Sequence, residues 1–95
     1  MNRGGLYLAV YDVSQDRERN RLASVLEHYG VRVQKSAFEV RLSRAHRNFL
    51  LRQLNGIGLQ SGWVALYRVD ESARRHVAGQ APANPLAEDQ HAYVL

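Results

Sequence analysis

The segment VRVQKSAFEVRL, residues 31–42, decides the fold of this chain. It is rich in β-branched and alternating apolar residues, which favours β structure. Its apolar residues have odd numbers at the start, Val31 and Val33, and even numbers at the end, Phe38, Val40 and Leu42. Because successive side chains of a strand point to opposite faces, a single strand cannot change parity without a bulge or a reversal. We therefore predict two strands that meet around residues 34–36.

Upstream of this segment, the pattern predicts a strand and a helix. Residues 6–11, LYLAVY, are apolar on both alternating faces, which indicates a strand covered on both sides. A helix is predicted over residues 16–29, with Gly30 as a left-handed stop. Its apolar stripe follows the i, i+3, i+4, i+7 spacing: Leu22, Val25, Leu26 and Tyr29.

Downstream, a second helix and a further strand follow. Ser43 is a suitable N-cap, and the helix is predicted to end at Asn55-Gly56. A strand is predicted over residues 63–69, WVALYRV, after a glycine-bearing loop. The inward stripe of the second helix is expected to be Phe49, Leu50, Leu54 and Ile57.

The resulting order, β-α-β-β-α-β, is that of a ferredoxin-like α+β sandwich, in which two helices cover one face of an antiparallel sheet. The outward residues of the first and fourth strands are also apolar, so we expect a second copy to cover that face in a symmetric homodimer. We assign residues 1–76 to this domain and residues 77–95 to a linker and C-terminal tail. Within the tail, residues 92–95, AYVL, could form a short strand at an edge of this chain or its partner.

Composition excludes several classes of function. The 95 residues contain no cysteine, which excludes disulfides, thiolate metal sites and a cysteine nucleophile, and fits a reducing cytoplasm. The first apolar run is too short for a signal peptide or a membrane span, so we expect a soluble cytoplasmic protein without a membrane partner. The four histidines lack metal-ligand spacing, and no Ser-His-Asp set stands out.

Basic charge is concentrated in the first half of the chain. Residues 1–55 hold ten Lys or Arg against five acids, whereas residues 56–95 hold three against four. Arginine presents a planar fork suited to phosphate oxygens, which points to a phosphodiester backbone as partner. A solvated helix face with ordinary ion pairs is the alternative.

Asp12 follows the first predicted strand and precedes an arginine-rich helix start. A carboxylate at the end of a buried strand is costly to desolvate unless a cation or a donor meets it. Mg²⁺ prefers carboxylate oxygen and keeps several waters, so one or two acids plus a substrate phosphate can hold it. Asp16 is a nearby second acid, and two copies of Asp12 at a dimer axis would supply a pair. Two other roles stay open: a cap of the first helix, or an ion pair with Arg19 or Arg21.

Several short motifs together resemble the CRISPR-associated endonuclease family Cas2 (Cas-two). They are Tyr11-Asp12, Arg19-Asn20-Arg21, Tyr29-Gly30 and Arg32-Val33-Gln34-Lys35-Ser36-Ala37-Phe38-Glu39. The resemblance spans residues 6–69 with the same element order, and departs from the family at Ala37, where valine is usual. It implies a ferredoxin-like homodimer that acts in CRISPR adaptation beside the Cas1 (Cas-one) integrase. Several family members are magnesium-dependent endonucleases on RNA or double-stranded DNA.

The resemblance also implies roles for particular residues. Asp12 is implied as the metal ligand of each subunit and, with Tyr11, as a catalytic residue. Positions associated with activity or substrate, here nucleic acid, are Arg19, Arg21, Arg32, Ser36 and Phe38. Structural alternatives remain: Phe38 in the core or dimer interface, Tyr11 in packing, Arg32 as a strand-surface charge and Ser36 in the turn.

Two functions of different class compete. The first is a Mg²⁺-dependent endonuclease that acts in spacer acquisition for antiviral defence. The second is a non-catalytic dimeric adaptor that binds the DNA backbone and bridges Cas1 integrase subunits, which the small number of acids favours. A toxin-like ribonuclease is a third, weaker hypothesis.

Overall fold

The first six strands and helices follow one another in the predicted order, and β5 (His76–Val77) is an additional strand that was not predicted. The computed structural model describes residues 4–70, 72, 76–80 and 93–94. The elements are β1 (Gly5–Val13), α1 (Asp16–Glu27), β2 (Gly30–Gln34), β3 (Ala37–Leu42), α2 (Arg44–Ile57), β4 (Gly62–Val69), β5 (His76–Val77) and β6 (Tyr93–Val94).

Four strands form an antiparallel sheet in the order β2-β3-β1-β4. The central strand β1 pairs with β3 on one side and with β4 on the other, and both helices pack on one face. The predicted ferredoxin-like α+β sandwich is confirmed. The strands β2 and β3 meet at the turn of Lys35 and Ser36, as the parity change in residues 31–42 predicts, and their register shifts between Arg32 and Gln34.

A cluster of apolar side chains fills the space between the helices and the sheet. Leu22 and Leu26 of α1 are fully buried in it, and α2 contributes Leu50 and Leu54. Burying each leucine stabilises the fold by roughly 1.5–3 kcal/mol relative to leaving it exposed. The sheet side of the cluster consists of Tyr7, Ala9, Tyr11, Val13, Phe38, Val40 and Leu42.

The end of α1 differs from the prediction. The helix ends at Glu27, two residues early, and its C-cap His28 keeps right-handed helical angles. Gly30 was predicted as a left-handed stop, which is wrong: it is the first residue of β2. Glycine is needed there because a Cβ would collide with the carbonyl oxygen of Glu39 on the neighbouring strand.

The start of α2 is confirmed and its end is corrected. The Ser43 hydroxyl accepts a hydrogen bond from the backbone N–H of His46 at 3.1 Å, as expected of an N-cap. The helix runs on to Ile57 and ends at Gly58, whose φ of 67° is left-handed. The inward placement of Phe49 was wrong, because its side chain is 48% exposed. Phe49 directly precedes the buried Leu50, so it lies about 100° around the helix axis from it.

The sheet face opposite the helices is partly apolar and uncovered. We call it the open face and define it by Leu8, Val10 and Asp12 of β1 and by Trp63 and Tyr67 of β4. The last two side chains are 50% and 56% exposed, while Leu8 and Val10 are half-buried. The expectation that apolar residues point outward from the first and fourth strands is therefore confirmed.

A short parallel pair, β5 with β6, lies outside the main sheet. The predicted terminal strand is thus present at Tyr93–Val94, and it pairs with this chain's own His76–Val77. The predicted linker, residues 77–90, lies outside the described residues beyond position 80, so the domain boundary at 76 stays a prediction. Among the described residues, no helix is long and apolar enough to cross a membrane.

Candidate functional site

Asp12 lies within β1, which continues to Val13, rather than after the strand. Its side chain is exposed on the open face, and its register partner on β4 is Trp63. The predicted strand stopped before Asp12 because a carboxylate is unusual in an apolar strand, but the backbone pairing with β4 extends to Val13 and Gly62. A Cβ on Gly62 would collide with the carbonyl oxygen of Asp12, so glycine at 62 permits this close approach.

A cleft of about 400 Å³ opens beside Asp12, between the start of α1 and the turn that joins β2 to β3. We call it the Asp12 cleft. Of the predicted site residues, its lining includes Tyr11, Asp12, Arg19, Arg32 and Ser36. The structure therefore brings together five of the seven predicted site residues. Two lining residues were missed as candidates, Asn20 and Lys35; both belong to the motifs quoted for the family resemblance, which is the signal that could have identified them.

Tyr11 holds the β2–β3 turn in place. Its side chain is 3% exposed, its hydroxyl donates to the carbonyl oxygen of Lys35 at 3.3 Å, and its backbone N–H donates to the carbonyl oxygen of Ser36 at 3.0 Å. The guanidinium of Arg32 donates to the same Lys35 oxygen at 2.8 Å. These bonds fix the positions of Lys35 and Ser36 relative to Asp12, so Tyr11 acts on the cleft by positioning.

Phe38 packs beneath the cleft and does not face it. Its side chain is 0% exposed, stacks on Tyr11 with 6.4 Å between ring centroids, and carries the Arg32 guanidinium 5.0 Å above its ring. A direct contact between Phe38 and nucleic acid is therefore excluded in this fold. The core alternative is the correct one for Phe38, which supports Arg32 from below.

Arg19 binds the β1–α1 connection. Its Nη1 donates to the carbonyl oxygens of Val13 at 3.0 Å and Ser14 at 2.7 Å, and its Nη2 pairs with the Asp16 carboxylate. Among the described residues Asp12 has no ion-pair partner, so the proposed pairing with Arg19 is wrong. Asp12 does not cap α1 either, because the N-cap position is Gln15.

Arg21 lies outside the Asp12 cleft. It is exposed on α1 and lines a separate surface depression with Arg17, Glu18 and Ile57. On a helix, residues two apart face different directions, which is why the adjacent motif positions 19 and 21 separate in space. The structure does not bring Arg21 together with Asp12.

Glu18 fastens α1 to the loop that leads into β4. Its carboxylate accepts hydrogen bonds from Ser61 Oγ at 2.6 Å, from the backbone N–H of Gln60 at 3.0 Å and from the backbone N–H of Ser61 at 3.0 Å. The Ser61 hydroxyl, followed by the N–H of Gln60, lowers the pKa of Glu18 from its usual 4.5. Ser61 also accepts at its carbonyl oxygen from the N–H of Ser14 at 3.1 Å, so these contacts hold the end of β1 beside β4.

The acids near the cleft leave one carboxylate for a cation. Asp16 pairs with Arg19, and Glu18 is saturated by Ser61 and Gln60. Within the part of the chain that the structure describes, no group of three His, Cys, Asp or Glu could hold a metal ion. Asp12 fits Mg²⁺ as a single carboxylate ligand supplemented by water and phosphate oxygens. Among the described residues that line the cleft, Asp12 is the one acid.

Fold and cleft together define a class of protein: a ferredoxin-like α+β protein whose exposed carboxylate stands beside cationic side chains suited to phosphate oxygens. The sequence profile described as CRISPR associated protein Cas2 matches residues 5–77. The chain belongs to this Cas2 family.

Individual relatives support the assignment. The CRISPR-associated endoribonuclease Cas2 1 of Pyrobaculum aerophilum is 33% identical over 92 residues, which cover 94% of this chain and 96% of that protein. The CRISPR-associated endoribonuclease Cas2 3 of Synechocystis sp. is 46% identical over 52 residues, or 55% of this chain and 56% of that protein. The chain thus spans about half the length of the first curated relatives it matches.

Solved structures share the fold. The crystal structure of the hypothetical protein TT1823 from Thermus thermophilus has a TM-score of 0.75 at 32% identity, and covers 84% of this chain and 96% of its own. A chain of a partial Cas6-RT-Cas1–Cas2 complex has a TM-score of 0.59 at 31% identity. The match covers 70% of the present chain and 79% of the chain in the complex.

Proposed function

We propose that this chain is a CRISPR-associated endonuclease that cleaves phosphodiester bonds of RNA or double-stranded DNA during spacer acquisition in the cytoplasm. The observation that carries the proposal is the position of Asp12, an exposed carboxylate at a cleft that Arg32 and Lys35 also line. The curated names of the Pyrobaculum and Synechocystis relatives, both endoribonucleases, support the reaction class.

The residues of the cleft divide into binding and positioning groups. The exposed side chains of Arg32 and Lys35 supply the positive charge that binds the phosphate oxygens of the substrate. Tyr11 and Phe38 keep these two cations in place, through the Lys35 carbonyl and beneath the Arg32 guanidinium respectively. Arg19 fixes the connection that follows Asp12. In this proposal the scissile phosphate binds between the turn and the carboxylate.

Asp12 is the residue that would hold Mg²⁺. When bound, the cation supplies Lewis-acid polarisation of a phosphoryl oxygen and lowers the pKa of a bound water. The carboxylate itself anchors the cation while leaving positions for water and substrate oxygens. An exposed side chain without an ion pair among the described residues is suited to this role, because no such contact has to break first.

A homodimer through the open face is part of the proposal. Asp12 lies on that face beside the half-exposed Trp63, so a second copy packed there brings a second Asp12 to the same side. Covering Trp63 and Tyr67 also removes exposed aromatic surface from water, which favours association.

An adaptor function is the second candidate. The observation that favours it is that no group of three His, Cys, Asp or Glu among the described residues could hold a metal ion, since two-metal nucleases hold their ions with more acids. The solved complex that contains both Cas1 and Cas2 supports a Cas1 integrase as partner. In that role the arginines bind the DNA backbone without cleaving it.

Substitution of Asp12 tests the nuclease. Asp12→Asn removes the charge that holds the cation but keeps the shape of the side chain, so we expect Mg²⁺-dependent cleavage of RNA and duplex DNA to fall at least about 100-fold, the scale lost with a single electrostatic catalytic group. EDTA should have the same effect on the wild type. Glu27→Gln, the same charge change at an exposed site at the end of α1, is the matched control.

The outcomes separate the two candidates. Equal cleavage by wild type and Asp12→Asn would show that the activity belongs to a contaminant and would refute the nuclease. Spacer integration with a Cas1 integrase that persists in Asp12→Asn would establish the adaptor role. Gel filtration with light scattering should give the same mass for both proteins, because Asp12→Asn retains the volume of the residue.

A further inference from the structure

A second basic cavity lies at the opposite end of the sheet from Asp12. It has a volume of about 340 Å³ and is formed where the start of β1, the end of β3, the start of α2 and the end of β4 meet. We call it the arginine cavity. Its charged lining consists of Arg44, Arg47 and Arg68, and Gly5 and Tyr7 also line it.

The three guanidiniums of this cavity form no ion pair with the described residues. None of them has a carboxylate oxygen of the described residues within 4 Å. Arg47 Nη2 donates to Asn48 Oδ1 at 3.3 Å, and Arg68 stacks 5.4 Å above the Tyr7 ring. Asp70 has a coulombic interaction with Arg68, and its carboxylate also accepts hydrogen bonds from the N–H and hydroxyl of Ser72, both at 2.8 Å. Three like charges around one concave surface repel each other unless an anion joins them.

Gly5 makes room for one of these cations. A Cβ at this position would lie 2.8 Å from both Cζ and Nε of Arg68. Any other residue would therefore displace the guanidinium from its place over Tyr7. Gly5 is a paired residue of β1, opposite Leu42, so it is fixed in the sheet beside the cavity.

The first turn of α2 adds a favourable electrostatic contribution. Ser43 caps the helix through His46, while the backbone N–H groups of residues 44 and 45 precede the first intrahelical hydrogen bond. Over a helix of 14 residues these groups and the macrodipole favour an anion near Arg44 and Arg47. Charge, shape and backbone donors thus point to the same kind of ligand.

We propose that the arginine cavity binds a phosphate group of the nucleic-acid backbone, separate from the phosphate at the Asp12 cleft. This inference rests on the proposed function in one respect, namely that a nucleic acid is the ligand. Gly5 and Asp12 are seven steps apart along β1, which is about 23 Å at 3.3 Å per residue. The two sites therefore bind different phosphates, and the cavity holds a flanking part of the substrate.

The first measurement is the salt dependence of duplex DNA binding, with binding monitored by fluorescence anisotropy. Each backbone phosphate contact contributes about 0.9 to the slope of log K against log salt concentration. We expect Arg44→Gln/Arg47→Gln to reduce the slope by about 0.9, the contribution of the one phosphate in the cavity, and Arg47→Gln alone to reduce it by no more than that. Arg52→Gln is the matched control, because Arg52 lies on the same helix over Phe49, outside the cavity.

The second measurement separates a backbone phosphate from a free anion. Inorganic phosphate is titrated at constant ionic strength, and the backbone amide resonances of Ala45 and His46 are followed by NMR in the wild type and in Arg44→Gln/Arg47→Gln. Amide shifts confined to the wild type, together with the reduced DNA slopes, support the proposal. Amide shifts without any change in the DNA slopes would assign the cavity to a free anion and overturn it.

Equal DNA slopes for Arg44→Gln/Arg47→Gln, Arg52→Gln and wild type, without amide shifts, would likewise overturn the proposal. Arg68 stays in place in these variants, so its packing on Tyr7 is preserved, and circular dichroism melting confirms that they fold. A failure of the arginine-cavity proposal can be distinguished from a failure of the nuclease proposal. The nuclease proposal is tested by the cleavage activity of Asp12→Asn, and the cavity proposal is tested by the salt slopes.

Discussion

Arg19 and Arg21 show how strongly the role of a residue depends on its surroundings. Both belong to the motif Arg19-Asn20-Arg21, and both are cations near the start of α1. Arg19 donates to two backbone carbonyls and pairs with Asp16, whereas Arg21 extends into solvent. Charge alone therefore does not identify which arginine is available to a ligand. Arg19 stabilises the connection after Asp12, and Arg21 is the more available cation.

This difference predicts unequal effects on stability. Arg19→Ala should lower the free energy of unfolding by about 1 kcal/mol, because charge-assisted hydrogen bonds are lost at a side chain that is 40% exposed and thus partly screened. Arg21→Ala should change it by less than about 0.5 kcal/mol, as is typical of surface substitutions. Urea denaturation measures both. Equal destabilisation by the two substitutions would contradict the assignment of Arg19 to the loop.

At the scale of elements, the pairing of β1 with β4 sets the position of Asp12. β4 starts at Gly62, and the Glu18–Ser61 contacts hold the preceding loop against α1. At Gly62 a Cβ would collide with the Asp12 backbone, so the absence of a side chain permits the close approach of the two strands there. The sequence shows a glycine before Trp63 but gives no indication that a carbonyl oxygen faces it.

We therefore expect alanine substitutions at two glycines, Gly62 and Gly56, to have opposite effects on the stability of the fold. Gly62→Ala should destabilise the fold by about 1–3 kcal/mol, because its Cβ meets the Asp12 carbonyl, which cannot move without disturbing the strand. Gly56→Ala should stabilise it by about 0.5–1 kcal/mol, since Gly56 lies inside α2 with no atom within 4 Å of the added methyl. Thermal melts followed by circular dichroism compare them. A neutral Gly62→Ala would show that the strand pairing tolerates a wider spacing at Asp12.

For the whole molecule, the arrangement of surfaces matters more than any single contact. The helices cover one face of the sheet, and the open face carries Asp12 with exposed aromatic residues. Basic groups gather at the two ends of β1, in the Asp12 cleft and in the arginine cavity. This distribution suits an extended polyanion that passes along the protein from one site to the other.

If the homodimer forms through the open face, a charged residue introduced on that face should prevent self-association. Tyr67→Lys should abolish a homodimer, because a lysine at this half-exposed position would be desolvated without a partner when a second copy covers it. Phe49→Lys is the matched control: Phe49 is similarly exposed, at 48%, but lies on α2 on the other side of the molecule. Sedimentation velocity measures the mass. A monomeric Phe49→Lys with a dimeric Tyr67→Lys would move the interface to the helical side.

The sequence by itself determined the order of the elements, most of the helical core stripes and the two-strand structure of residues 31–42, because side-chain periodicity and parity are local properties of the chain. Ser43 as N-cap and the apolar open face follow from the same local patterns. The end of α1 was mispredicted because Gly30 serves a contact with Glu39 on another strand. Likewise, the burial of Phe38 depends on the side chains that pack around it, and the hydrogen bonds of Arg19 depend on where the backbone of residues 13 and 14 lies.

Only the tertiary structure decided which charged groups share a site. It placed Lys35 and Arg32 beside Asp12, moved Arg21 away, and gathered Arg44, Arg47 and Arg68 from a helix start and a strand end. The physical reason is that an electrostatic site depends on distances between residues far apart in the chain, and these distances are fixed by strand register and helix packing, which local patterns do not encode.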